Sequence, residues 1–125
     1  MKEQEIIITH YIEAYNHFDV NKMVKDFSKE IVFENVENGF ISMALEGIDE
    51  FVKQAEAATS YFSVRKQSIL SFKHEGNKSE IEIAFFGVLA TDLPNGMKKG
   101  QEIHLKGKSE FYFEHGKIVK LMDIS

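Results

Sequence analysis

Apolar residues near the start of the chain recur every three or four positions. Ile8, Tyr11, Ile12, Tyr15 and Phe18 fall on one face of an amphipathic helix. Asp19 follows as a candidate N-cap, its carboxylate able to accept from the free N–H groups of a second, shorter helix. That helix is predicted to carry Val20, Met23, Val24 and Phe27. From Ile31 the period falls to two. Ile31, Phe33 and Asn35 alternate with Val32, Glu34 and Val36, which is a strand pattern. Asn38-Gly39 predicts a tight hairpin turn, because both residues tolerate the positive φ that type I′ requires. A short strand over 40–45 follows, and Gly47 ends it. Ile48, Phe51, Val52, Ala55 and Phe62 mark a third helix, with Asp49 and Glu50 in its first turn, where the helix dipole favours negative charge.

The remainder reads as strand and turn. One long strand covers 64–74 and turns at Glu75-Gly76-Asn77; the next covers 79–91, with Ile81, Ile83, Phe85 and Leu89 on one face. A loop over 92–100 containing Pro94-Asn95-Gly96 leads to a strand over 101–114. There Ile103, Leu105, Gly107, Ser109, Phe111 and Phe113 oppose a face of Glu, Lys, His and Tyr. His115-Gly116 turns the chain into a last strand over 117–125, with Val119, Leu121 and Asp123 on one face. The order α-α-β-β-α-β-β-β-β predicts an α+β domain with its helices on one face of a mainly antiparallel sheet.

Composition narrows the function classes. At 125 residues the chain is the size of one domain, with no room for a second core. A net charge of -5 without a basic stripe argues against nucleic-acid binding. With no cysteine, thiolate metal sites and cysteine nucleophiles are excluded. None of the five histidines is spaced with another His or a carboxylate as a metal-ligand set, so no metal is expected. No apolar run approaches the ~20 residues that span a bilayer, and the charged start Met1-Lys2-Glu3-Gln4-Glu5 is unlike a signal peptide. The expectation is a cytoplasmic protein with no membrane partner.

Several segments together carry a resemblance. Tyr11 to Asp19 is an aromatic helix ending in an Asp that opens the next helix. Ile31-Val32-Phe33-Glu34 opens a strand, Glu46-Gly47-Ile48 a third helix, and Phe111-Tyr112-Phe113 with Gly116-Lys117-Ile118-Val119 forms a closing hairpin. In order and spacing these resemble SnoaL-like and ketosteroid-isomerase-like members of the nuclear-transport-factor-2-like superfamily, over essentially the whole chain. The resemblance implies a cone of curved sheet with three helices on its concave face, dimerising through the sheet's outer face. It implies an apolar pocket for a small molecule, lined by Tyr11, Tyr15, Phe27, Phe33, Asn35, Phe51, Phe85, Ser109, Phe111 and Asp123, and chemistry that uses no cofactor. Relatives of this kind include isomerases, cyclases, epoxide hydrolases, dehydratases and non-catalytic binders, so residues must decide.

On the isomerase pattern Tyr11 matches the donor to a developing oxyanion. Asn35, however, stands where the proton-moving Asp would be, and Ser109 where a second acid would be. An amide is no general base near neutral pH. On the cyclase pattern the late acid/base Asp is matched by Asp123. Arg65 is the only arginine and no second pocket Asp is evident, so an epoxide-hydrolase Asp-Arg-Asp relay is not indicated. Plainer readings stand beside these. Tyr11 and Tyr15 fit an ordinary core stripe, Asn35 a structural hydrogen bond, Ser109 a small residue making room for a helix, and Asp123 a solvated carboxylate near the end of the chain. Two functions remain: a cofactor-independent acid/base enzyme, or a non-catalytic ligand-binding or homodimeric module.

Overall fold

The computed structural model describes residues 2–125. Three helices, α1 (Lys2–Asn16), α2 (Val20–Met23) and α3 (Ile48–Ala58), pack on a six-stranded sheet. Its strands are β1 (Phe27–Glu37), β2 (Phe40–Glu46), β3 (Phe62–Glu75), β4 (Lys78–Leu89), β5 (Glu102–Glu114) and β6 (Lys117–Ile124), in the order β2-β1-β6-β5-β4-β3. Every neighbouring pair is antiparallel except β1 with β6, which run parallel. Bulges interrupt all the pairings but β4 with β5. An extra residue bends its strand and raises the local twist, which curls the sheet into an unclosed cone.

The concave face carries the core. Ile8, Tyr11 and Ile12 of α1, Val20 and Met23 of α2, and Phe51 of α3 close over Phe27, Ile31, Ile81, Phe111, Ile118 and Leu121. Polar pairs cover the convex face instead: Lys120 with Glu34, Lys78 with Glu110, and Lys108 with Glu80, all at 3.5–3.6 Å.

Several sequence expectations are met in detail. Asp19 caps α2 by accepting from the Lys22 N–H at 3.1 Å. Asn38 and Gly39 take φ of 52° and 82°, and His115 and Gly116 take 52° and 75°, so both hairpin turns use left-handed pairs.

Three expectations are corrected. Phe27 does not belong to α2, which stops at Met23; it opens β1 and pairs with Ile118 across the parallel seam. Phe62 does not belong to α3, which ends at Ala58; it opens β3. On β6 the bulge opposite Tyr112 and Phe113 leaves Val119 unpaired, so Ile118 rather than Val119 joins Leu121 in the core.

β3 is an edge strand whose outward backbone groups need partners. Asn16, the last residue of α1, supplies them for Gln67. Its Oδ1 accepts from the Gln67 N–H at 2.7 Å, and its Nδ2 donates to the Gln67 carbonyl at 3.1 Å. Replacing Asn16 with Ala removes both bonds and is expected to cost about 1–2 kcal/mol. The check is the midpoint of urea unfolding, with Asn16→Gln as a partial rescue.

Candidate functional site

Sheet register brings the polar residues of the concave face side by side. Met43 of β2 pairs with Asn35 of β1, Asn35 with Asp123 of β6, Asp123 with Ser109 of β5, and Ser109 with Ile81 of β4. Strand residues directly opposite one another project to the same face. Asn35, Asp123 and Ser109 therefore form one transverse row, although Asn35 lies far from the other two in the sequence.

Above that row lies a hollow of about 230 Å³ between α1, α3 and the sheet. Tyr11 and Tyr15 line it from α1, Phe33 and Asn35 from β1, Phe51 from α3, and Asp123 from β6. Met23, Met43, Leu45 and Ala55 add apolar wall. Of the remaining residues expected at the pocket, Phe27 and Phe111 stand behind this lining. Tyr11 stacks on Phe27 at 5.6 Å between ring centroids and meets Phe111 edge-on at 5.7 Å; Phe27 in turn meets Phe51 at 4.9 Å. Phe27 and Phe111 back the Tyr11 ring without reaching the hollow.

Ser109 is 2% exposed and lies behind Asp123, donating its hydroxyl to Oδ1 at 2.7 Å. Phe85 lies elsewhere. It shares the concave face but pairs with Gln67 and Leu105, beyond the stretch of β5 that β6 covers, and packs against Phe62 at 5.4 Å. The period-two pattern set its face correctly, but not its distance along the strand.

Arg65 was not among the expected site residues, and it lines the hollow from β3. It is 4% exposed and fixed on three sides. Its Nε donates to the Tyr15 carbonyl at 2.8 Å, and its guanidinium carbon lies 3.8 Å from the Tyr15 ring centre and 4.5 Å from that of Phe18. Phe18 takes φ of 59°, uncommon for a bulky side chain, in the turn that joins α1 to α2. A signal existed in the sequence. Arg65 and Gln67 alternate in phase with Ile69, so a charge sat on the core-facing side of a strand.

Burial sets the electrostatics of the hollow. It pushes the Asp123 carboxyl from the ordinary 3.8 up to about 6, and the Ser109 hydrogen bond offsets only part of the rise. Burial also raises Tyr11 well above the usual phenol range, and the nearby Asp123 charge adds to it. Tyr15 is raised by burial too, with Arg65 pulling it back. Near neutral pH both phenols therefore keep their protons and can donate, while Asp123 exchanges its proton easily. Asn35 sits at the rim, its Nδ2 donating to Ser42 Oγ at 2.7 Å and Glu37 Oε1 at 3.1 Å.

Other depressions differ in kind. One of about 530 Å³ runs over α1 and the α1–α2 turn between His10, Glu13, His17, Asp19 and Lys22, an open surface groove of mixed charge. Among the described residues, no three His, Asp or Glu side chains are grouped to hold a metal ion. No helix among them is long and apolar enough to cross a membrane.

The sequence profile of the SnoaL-like domain family matches residues 8–121, nearly the whole chain, and ends just before Asp123. The chain belongs to the SnoaL-like domain family. Among solved structures, it superposes on a protein from Jannaschia sp. CCS1, provisionally assigned as a SnoaL-like polyketide cyclase. The TM-score is 0.83 at 10% identity, covering 98% of this chain and 84% of that one. AclR of Streptomyces galilaeus, provisionally assigned as a hydroxylase, matches with TM-score 0.79 at 20% identity over 98% and 88% of the two chains. An LEH-like epoxide hydrolase of M. tuberculosis gives 0.77 at 13% over 98% and 82%. At these identities the likeness is one of fold. No curated protein sequence matches the chain. SnoaL-like membership thus agrees with the three helices and curved mixed sheet described above.

Proposed function

We propose that this SnoaL-like domain is a cofactor-independent acid/base enzyme acting on a small carbonyl compound in the hollow. The observation that carries the reading is Asp123, a carboxyl held by Ser109 in the wall of an apolar hollow shared with Tyr11 and Tyr15. A group poised near the working pH both takes and returns protons, which isomerisation, cyclisation and dehydration each require. In the simplest cycle ionised Asp123 removes a proton from the carbon beside the substrate carbonyl. The electron pair moves onto the carbonyl oxygen, where the Tyr11 hydroxyl donates to the enolate, and protonated Asp123 then returns the proton to a different atom. The cyclase and hydrolase neighbours support the reading only as relatives in fold.

Proton abstraction can be followed without knowing the product. Small ketones and 1,3-diketones incubated with the protein in D2O are expected to lose their α-protons, as seen by NMR. The rate should rise as pH passes about 6, where Asp123 ionises. Asp123→Asn should slow exchange by about 100- to 10,000-fold.

The second reading, a non-catalytic binder, is favoured by Asn35, an amide at the position where the isomerase pattern has its base. Ligands that perturb the resonances of the hollow while no compound exchanges would establish it.

A further inference from the structure

Buried donors in folded proteins are almost always paired, and a charged donor left alone calls for an acceptor. Nη2 of Arg65 is such a donor: it is buried and has no partner in the protein. Nε is committed to the Tyr15 carbonyl, and the Tyr15 and Phe18 rings lie against the group. Among the described residues no carboxylate lies within 4.0 Å of it, and Asp123 is bonded to Ser109 instead. Gln67 Oε1 is likewise buried without a partner, but Gln67 does not line the hollow. The hollow is thus lined by an immobilised cation with no carboxylate partner among the described residues, set among aromatic and aliphatic walls.

From this geometry we propose that the ligand is a small organic anion, a carboxylate on an apolar body of about one ring, with its carboxylate paired to the Arg65 guanidinium where that group lines the hollow. The inference rests on the hollow being the functional site and adds the class of molecule it takes. Size agrees, because about 230 Å³ is below the roughly 300–1,000 Å³ of drug-sized sites. Wall chemistry agrees as well. Phe33 and Phe51 present rings 5.6 Å apart at 72° for an apolar body, and a fixed guanidinium loses little freedom on pairing with a carboxylate. With the guanidinium only 4% exposed, that pairing gains more than it would at the surface.

Two probes of nearly equal shape separate charge from shape: benzoate, and neutral benzyl alcohol. Each is titrated into the full chain at pH 7.5 and followed by NMR at the amides of Phe33, Phe51 and Asp123 and at the Arg65 side chain. The expected result is benzoate binding at least tenfold tighter than benzyl alcohol, with the Arg65 side-chain signals shifting only for benzoate. Arg65→Gln should abolish the preference; should that variant fail to fold, the comparison of probes on the unmodified chain still decides. Equal affinity for the two probes, with shifts confined to the hollow, overturns the anion while keeping the hollow as the site. Benzoate shifts that bypass Arg65 also overturn it. If neither probe moves any resonance of the hollow, the anion and the site reading fall together.

Discussion

Asp123→Asn is expected to make the protein more stable at pH 8, by up to about 3 kcal/mol, and to leave its stability at pH 4 nearly unchanged. The native carboxyl titrates at about 6 against 3.8 in an exposed chain, chiefly because burial disfavours its charge. Between those values the folded state holds a proton that the unfolded state has released, so stability falls as pH rises through the window. Above about 6 the loss is constant, and roughly two pK units correspond to about 3 kcal/mol at most. Asparagine keeps the shape and can accept from Ser109 through its Oδ1 without carrying charge. The check is a pair of urea titrations at the two pH values, comparing the difference between variant and wild type. Other carboxylates titrate alike in both proteins and cancel. Equal differences at pH 4 and pH 8 would show that the carboxyl is freely solvated. A group that burdens the fold when charged is the usual companion of acid/base chemistry, because charge is held where the reaction uses it.

Phe111→Ala is expected to cost about 3–5 kcal/mol, the largest stability loss of any substitution discussed for this chain. Phe111 is fully buried in the sheet's concave face, pairs with Leu121 and Ser79 across the neighbouring strands, and backs the Tyr11 ring. Truncation leaves a cavity beneath α1 that the curved sheet cannot collapse to fill. Against a typical total stability of about 5–15 kcal/mol, the variant loses a third or more of its margin. Its melting temperature should fall by roughly 10–25 °C. Phe40, 77% exposed at the start of β2, is the control: Phe40→Ala should stay within about 0.5 kcal/mol of wild type.

Where local chemistry decides structure, the sequence was readable. The Asp19 cap, the Asn38-Gly39 turn and the period-two strands follow from side-chain geometry within a few residues. Val20, Met23, Val24 and Phe27 fit helical spacing well, yet Phe27 lies in β1. Its place in β1 depends on pairing with Ile118, some ninety residues away, which no local pattern records. The same limit explains the site. Tyr11, Tyr15, Phe33, Asn35, Phe51 and Asp123 all line one hollow, because face and element suffice to bring them together. Phe85 has the right face but sits past the end of β6, and strand stagger is a property of pairing rather than of period. Arg65 has no place in the pocket read from sequence, because an isolated arginine in a strand ordinarily points to water. Its burial depends on α1 ending where Tyr15 and Phe18 can sandwich it.

The parallel seam between β1 and β6 has a consequence for when the hollow exists at all. Strands β3 to β6 are joined end to end and can assemble from neighbours, but Asn35 meets Asp123 only after a loop of nearly ninety residues has closed. Long closures come late in folding and are the first to reopen in a fluctuating native chain. Parting that one seam would dissolve the floor of the cavity while leaving the meander standing, and a molecule lying across it would hold β1 and β6 together.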